Sequence, residues 1–223
     1  MLDGMKGIIF DLDGTLIDSM WIWEQIDIDY LARFQHTLPS GMQNEINGMS
    51  FLETANYFKN RFQIPDSIET IQNDWNTMAW QKYEEEVQLK DGVFEFLEHL
   101  KELNIPCGIA SSNSKELIEL VVKKHGIDHY FKSIRNSCEV KQGKPAPDIY
   151  LLVAEDMGIR PEECLVFEDV LQGVQGGKSA NMKVCNVYDI HVKQDSGMIK
   201  KIADYFIKSY HEIMEQTYEV INR

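Results

Sequence analysis

Short, unbroken apolar blocks recur along most of this chain, each followed by polar or turn-forming residues. They are "GIIF" (7–10), "PCGIA" (106–110), the weaker "SIRN" (133–136), "CLVF" (164–167) and "KVCNV" (183–187). The stronger blocks do not alternate apolar with polar, so they predict strands buried on both faces. Between the later blocks lie helical patterns, "KELIELVVKKHG", "PDIYLLVAEDMG" and "DVLQGVQGGKSAN"; the second has Pro147 at its start and Gly158 at its end. Strands alternating with helices predict an α/β fold, a parallel sheet with right-handed crossovers, doubly wound and Rossmann-like. "KKIADYFIKSYHEIMEQ" near the end reads as one more short strand and a terminal helix.

The alternation breaks once. From residue 18 to 86 the pattern is helical throughout, in "WIWEQIDIDYLARF", "SFLETANYFKNRF" and "IETIQNDWNTMAWQKYEEE". Trp21, Trp23, Trp75 and Trp80, the chain's only tryptophans, all fall in this stretch. This predicts an inserted α-helical cap (18–86) with its own small core, carried by a catalytic core made of 1–17 and 87–223.

Composition narrows the function. The 223 residues carry 22 Lys and Arg against 36 Asp and Glu, a net charge of −14. Nucleic acids and anionic membranes select basic surfaces, so neither is an expected partner. No apolar run approaches the ~18 residues of a membrane span, and the N-terminus lacks a secretory pattern, which leads to the expectation of a cytoplasmic protein. Cys107, Cys138, Cys164 and Cys185 are widely spaced without a C-x-x-C pair, and read as free thiols. His125 and His129 are separated by Gly126 at a predicted helix end, a poor setting for a zinc pair.

Ligands of doubly wound sheets bind beyond the carboxyl ends of the strands, so the residues that follow each strand matter most. After the first come Asp11 and Asp13; after the second, Ser111, Ser112 and Asn113; after the third, Lys141 and Lys144; after the fourth, Glu168 and Asp169. Each set has a bland reading: an Asx turn, a helix N-cap, a solvated loop lysine, an acidic helix start. Those readings are independent of one another, whereas a single phosphate-and-magnesium site accounts for all four. "GVQGGKS" (173–179) imitates a phosphate-binding loop, but Gln172 holds its first glycine position and the segment reads as a helix packed through small residues.

"DLDGT", "ASSNS", "GKPAPD" and "VFEDV", in that order, resemble the four motifs of the haloacid dehalogenase superfamily. The helical insertion after the first is similar to the branch that includes sugar-phosphate phosphatases and β-phosphoglucomutase. The resemblance implies a phosphoric monoester hydrolase with Asp11 as nucleophile, forming an aspartyl-phosphate, and Asp13 as general acid and base. It implies Mg²⁺ held by the Asp11 carboxylate, the Asp13 carbonyl and Asp169, with Glu168 in or beside that set. Ser111, Lys144 and the backbone N–H groups near Leu12 and Ser112 would hold the phosphoryl oxygens. Gly14 lets the chain swing toward the cap, and Thr15 supports the turn.

A signalling receiver domain uses similar groups but is much shorter and carries its reactive Asp after a middle strand. Dehalogenases of the superfamily lack the acid found here as Asp13. The phosphomutases place a histidine in the first cap helix and an arginine before the next; Trp23 and Phe51 fall at those positions. The expectation is therefore a monomeric Mg²⁺-dependent phosphatase acting on a small phosphorylated metabolite, with a sugar phosphomutase as the alternative.

Overall fold

A computed structural model describes residues 1–192 and 196–222; residues 193–195 and 223 of the expected core lie outside the described residues. Seven strands form one sheet: β1 Gly7–Phe10, β2 Cys107–Ser111, β3 Phe131–Asn136, β4 Cys164–Glu168, β5 Lys183–Val187, β6 Tyr205–Ile207 and β7 Glu219–Val220. Their order is β3-β2-β1-β4-β5-β6-β7, parallel except for β7. This is the doubly wound topology expected from the apolar blocks. Every residue of β1, β2 and β4 is buried, as unalternating strands require.

The chain turns from one half of the sheet to the other between β1 and β4, whose Phe10 and Phe167 lie side by side. Their rings stack at 5.1 Å, with Phe96 and Tyr210 packed against them. Burying a ring of this size contributes roughly 1.5–3 kcal/mol. The residues that follow these two phenylalanines, Asp11 and Glu168, therefore sit on a rigid floor at the switch point.

The structure corrects the element boundaries in places. β2 and β4 each run one residue further than expected, so Ser111 and Glu168 end strands rather than open loops. β7 was not expected. It is two exposed residues, too short to show a period, and it exists because β6 offers an open edge.

Four helices follow β1: α1 Met20–Ala32, α2 Met42–Ile46, α3 Phe51–Phe62 and α4 Ile68–Glu85. The short α2 has no periodic signature in the sequence. Ser50 opens α3 with a reciprocal capping box to Glu53, and Ser67 caps α4. Tyr30, Phe51, Phe58 and Trp75 pack ring against ring, with centroids of Trp75 4.9–5.7 Å from the other three. Where the chain leaves and rejoins the sheet, Ile17 bridges Leu89 and the Asp18 N–H donates to the Gln88 carbonyl at 2.9 Å. On the far side the Phe51 N–H donates to the Ser112 carbonyl at 3.0 Å. The helical segment thus sits directly over the strand ends.

The remaining helices that matter to the site are α5 Val93–Glu102, α6 Lys115–Lys124, α7 Asp148–Met157 and α8 Leu171–Ser179. α8 contains the glycine-rich segment, and it is a helix packed through small residues, as read. A side chain on Gly173 would run into the Glu168 carboxyl, and one on Gly176 into Tyr150. All four cysteines are free. Among the described residues no helix is long and apolar enough to cross a membrane.

Candidate active site

Asp11 is held by its own backbone, whose N–H donates to the Phe167 carbonyl at 3.0 Å. Its side chain meets the Lys144 ammonium at 2.5 Å, and Lys144 also meets Glu168 at 2.5 Å. A lysine before a proline is ordinarily solvated, yet Lys144 is only 5% exposed, whereas Lys141 is exposed. Tyr150 of α7 donates to the same Glu168 oxygen at 2.6 Å, and Thr15 donates to Asp169 at 3.3 Å. Asn186, which the sequence reading did not single out, is the penultimate residue of β5 and donates to the Glu168 and Asp169 carbonyls at 3.0 and 3.3 Å.

Carboxylate oxygens of Asp11, Glu168 and Asp169 lie within 4.8 Å of one another, all three residues buried. One oxygen of Glu168 and one of Asp169 have no hydrogen-bond partner among the described residues. With all three ionised, the carboxylates would exceed the Lys144 ammonium by two negative charges. Burial, opposed by Lys144 and reinforced by Glu168, raises Asp11 above the carboxylate range; burial and then the charge of Asp11 hold Asp169 well above it. Burial alone would lower Lys144, but Asp11 and Glu168 outweigh it and raise it. Hard oxygen donors, unpartnered atoms and uncompensated charge fit a divalent cation such as Mg²⁺. Gly14 is part of that fit. Its φ of +80° disfavours any side chain, and a Cβ there would collide with the Asp169 carboxylate.

The bland readings do not describe these residues. The N-cap of α6 is Ser114, which accepts from the Leu117 N–H at 3.3 Å, so Ser111, Ser112 and Asn113 are not its cap. The N-cap of α8 is Val170, with no side-chain capping bond from Glu168 or Asp169. Ser111 is buried, its Oγ accepting from the Asn113 N–H at 3.1 Å. Leu12 is fully buried, and its carbonyl accepts the turn's N–H groups from Leu16 and Ile17.

Asp13 faces the helical segment. It accepts from Ser19 at 2.6 Å, Asn113 at 2.9 Å and the Trp23 indole at 3.5 Å, and from the Tyr83 hydroxyl. Tyr83 also accepts from the Trp23 indole at 3.0 Å, so α1 and α4 together grip this acid. Sequence reasoning did not foresee Tyr83. Its i+4 spacing behind Trp75 and Ala79 marks a buried face of α4, but nothing in the spacing says what its hydroxyl meets.

A cavity of ≈ 140 Å³ opens above Asp11, Asp13, Lys144 and Asp169. Of the aromatic and apolar residues of the helical segment, Trp23, Met49 and Phe51 line it; Trp21 does not, and its indole donates to the Asp18 carbonyl instead. Asp27 lines the cavity as well, a charge on the buried face of α1, and accepts from Gln43 at 2.7 Å. Burial pushes Asp27 up to about 7, with the Gln43 hydrogen bond pulling the other way. The folded protein then keeps a proton there that the unfolded chain releases near pH 4, so this group lowers stability as pH rises from about 4 to about 7. Asp27→Asn, which keeps an acceptor for Gln43, should raise unfolding stability at pH 8 by about 2–3 kcal/mol relative to its effect at pH 5. Urea titrations of both proteins at the two pH values check this; an equal effect at both would show that Asp27 is ionised in the fold.

Residues 8–187 match the family model described as haloacid dehalogenase-like hydrolase, and the chain belongs to that family. A phosphorylated carbohydrates phosphatase of Thermotoga maritima is 27% identical over 97% of this chain and all of its own length. A bifunctional riboflavin kinase/FMN phosphatase of Arabidopsis thaliana is 30% identical over 81% of this chain, which spans 48% of that longer protein. Among solved structures, CbbY of Rhodobacter sphaeroides in complex with phosphate superposes with a TM-score of 0.81 at 22% identity, covering 94% of this chain and 96% of the other. That likeness shows a shared fold over nearly the whole of both chains.

Proposed function

We propose that this haloacid dehalogenase-type phosphoric monoester hydrolase is a Mg²⁺-dependent phosphatase of a small phosphorylated metabolite, working through an aspartyl-phosphate. The observation that carries this reading is the pairing of Asp11 with Lys144 at the floor of the cavity, with Asp13 at its wall. An Asp11 oxygen attacks phosphorus, and the bond from phosphorus to the leaving oxygen breaks. Asp13, held by Tyr83, Asn113 and Ser19, gives its proton to the departing alkoxide. It then takes a proton from water, which attacks the same phosphorus, releases inorganic phosphate and regenerates Asp11. Lys144, Ser111 and the backbone N–H groups of Leu12 and Ser112 hold the transferring oxygens. Asp11, Asp169 and the Asp13 carbonyl would hold Mg²⁺, with Glu168 beside them; the ion supplies positive charge against the phosphoryl oxygens. The phosphatase names of the relatives support the same reading.

The phosphomutase alternative needs a cation for a second phosphate. Among the described residues lining the cavity, Lys144 is the one Lys or Arg, and Trp23 and Phe51 occupy the two positions where the mutases carry theirs. Inorganic phosphate release from a panel of phosphorylated metabolites with Mg²⁺ tests the phosphatase. On β-glucose 1-phosphate with added glucose 1,6-bisphosphate, phosphate release should exceed conversion to glucose 6-phosphate, read by coupled glucose-6-phosphate dehydrogenase. Mutase turnover outrunning phosphate release would reverse the assignment.

A further inference from the structure

The cavity has two chemically different ends. Its floor carries the charged groups that the phosphatase reading uses. Its cap end is mostly apolar, with Met49, Phe51 and Trp75 among its walls and Gln43, Asn47 and Thr54 beside them, and two of its groups, both buried, stand out.

The first is Asp27, 5% exposed, an acidic acceptor among aromatic and aliphatic side chains. Among the described residues lining the cavity the only ammonium or guanidinium is Lys144, which Asp11 and Glu168 already engage. A buried carboxyl is costly where apolar packing would serve, and Gln43 positions this one with a 2.7 Å hydrogen bond. The second is Trp75, 2% exposed, whose indole N–H has no hydrogen-bond partner among the described residues. Leaving such a donor unpaired costs about 1–3 kcal/mol. Asp27 and Trp75 thus line one pocket, which is walled by rings: Phe51 stands edge-on to both Trp23 and Trp75, with centroids 6.2 and 5.6 Å apart.

We propose that this end of the cavity recognises a planar heterocycle bearing a cyclic imide edge, its ring N–H donated to Asp27 and an adjacent carbonyl accepting from the Trp75 indole. The substrate is then a monophosphate ester on a side arm of such a ring, and the inference rests on the phosphatase reading for its other end. A polyol fits less well. It would bring several hydroxyls against walls that are mostly apolar, and each one buried without a partner costs binding. A flat ring buries its faces against the aromatic walls and spends its few polar atoms on Asp27 and Trp75. Uracil-type nucleosides and flavins share this imide edge, and the test separates them.

The experiment measures kcat/KM with Mg²⁺ for uridine 5′-monophosphate, pseudouridine 5′-monophosphate and flavin mononucleotide. Glycerol 3-phosphate and sorbitol 6-phosphate serve as polyols, and acetyl phosphate as a substrate without a distal group. The best imide substrate should exceed both polyols by about tenfold or more, and the member that leads identifies the source. Blocking the N–H, as in 3-methyluridine 5′-monophosphate against its parent (or the N3-methyl flavin, if the flavin leads), should cost about tenfold or more, chiefly in KM. Asp27→Leu should erase that discrimination, and Asp27→Asn, which keeps a weaker acceptor, should reduce it at least about threefold. Trp75→Phe, which keeps a ring but no donor, should raise KM for the imide substrate about fivefold. Preference for a polyol, or indifference to methylation, overturns the inference, and continued hydrolysis of acetyl phosphate would leave the phosphatase reading standing. Inertness toward every compound, acetyl phosphate included, would instead bring down the phosphatase reading itself.

Discussion

Asp11→Asn should stop turnover, with kcat on p-nitrophenyl phosphate falling by about a thousandfold or more, while the protein stays folded. The amide has the shape of the carboxylate but lacks the charge that makes oxygen attack phosphorus. Nothing in the local structure depends on that charge alone. The backbone bond to Phe167 does not involve the side chain, the amide oxygen can still accept from Lys144, and Lys144 keeps Glu168 as its counter-charge. Removing one of three crowded buried carboxylates also relieves repulsion, so thermal stability should hold or rise. Unchanged circular dichroism and a melting temperature no lower than wild type establish the fold. A variant that keeps a tenth of the wild-type rate would remove Asp11 from the role of nucleophile.

Removing the metal should have an effect of similar size. Chelation with EDTA should take activity below detection, and Mg²⁺ should restore it. Ca²⁺ should inhibit, because its larger and looser coordination shell misplaces the attacking and leaving oxygens. A second readout does not depend on turnover. The Asp11, Glu168 and Asp169 cluster is overcharged and has unpartnered oxygens, so the ion should bind the folded chain and stabilise it. At a hundred times the dissociation constant that gain is about 2.7 kcal/mol. Differential scanning fluorimetry should show an upward shift with Mg²⁺ in the wild type and a much smaller one in Asp169→Asn. Full activity in chelator, together with no thermal shift, would mean that these acids serve the fold and not a cation.

The acidic floor of the cavity was legible because it is built from short pieces of chain with fixed geometry. A buried parallel strand must end at the sheet's carboxyl edge, and the residue that follows must face that edge. Reading Asp11, Asp13, Glu168 and Asp169 needed only the strands before them. The choice of Lys144 over Lys141 came from the "GKPAPD" resemblance, and the structure supplies its physical ground in burial between two carboxylates. The order of the four segments, and the helical insertion after the first, are likewise properties of the chain itself.

The cap end of the cavity was not legible in the same way. Trp75, Tyr83 and Asp27 come from different turns of two helices, and their meeting with Asp13 or with one another is set by how α1 and α4 lean over the sheet. Periodicity marks Tyr83 as a core residue of α4, since a helix fixes which side chains share a face, whereas α1 is apolar on more than one side and singles out no stripe for Asp27. It does not fix the angle at which that face meets another element. That angle comes from packing many side chains at once, Phe51, Phe58 and Tyr30 around Trp75 among them. The sequence by itself therefore determined the edge of the sheet at which Asp11, Asp13, Glu168 and Asp169 would gather. Only the tertiary structure decided what stands opposite it, because the cap's side chains face the cavity through long-range packing that no local pattern encodes.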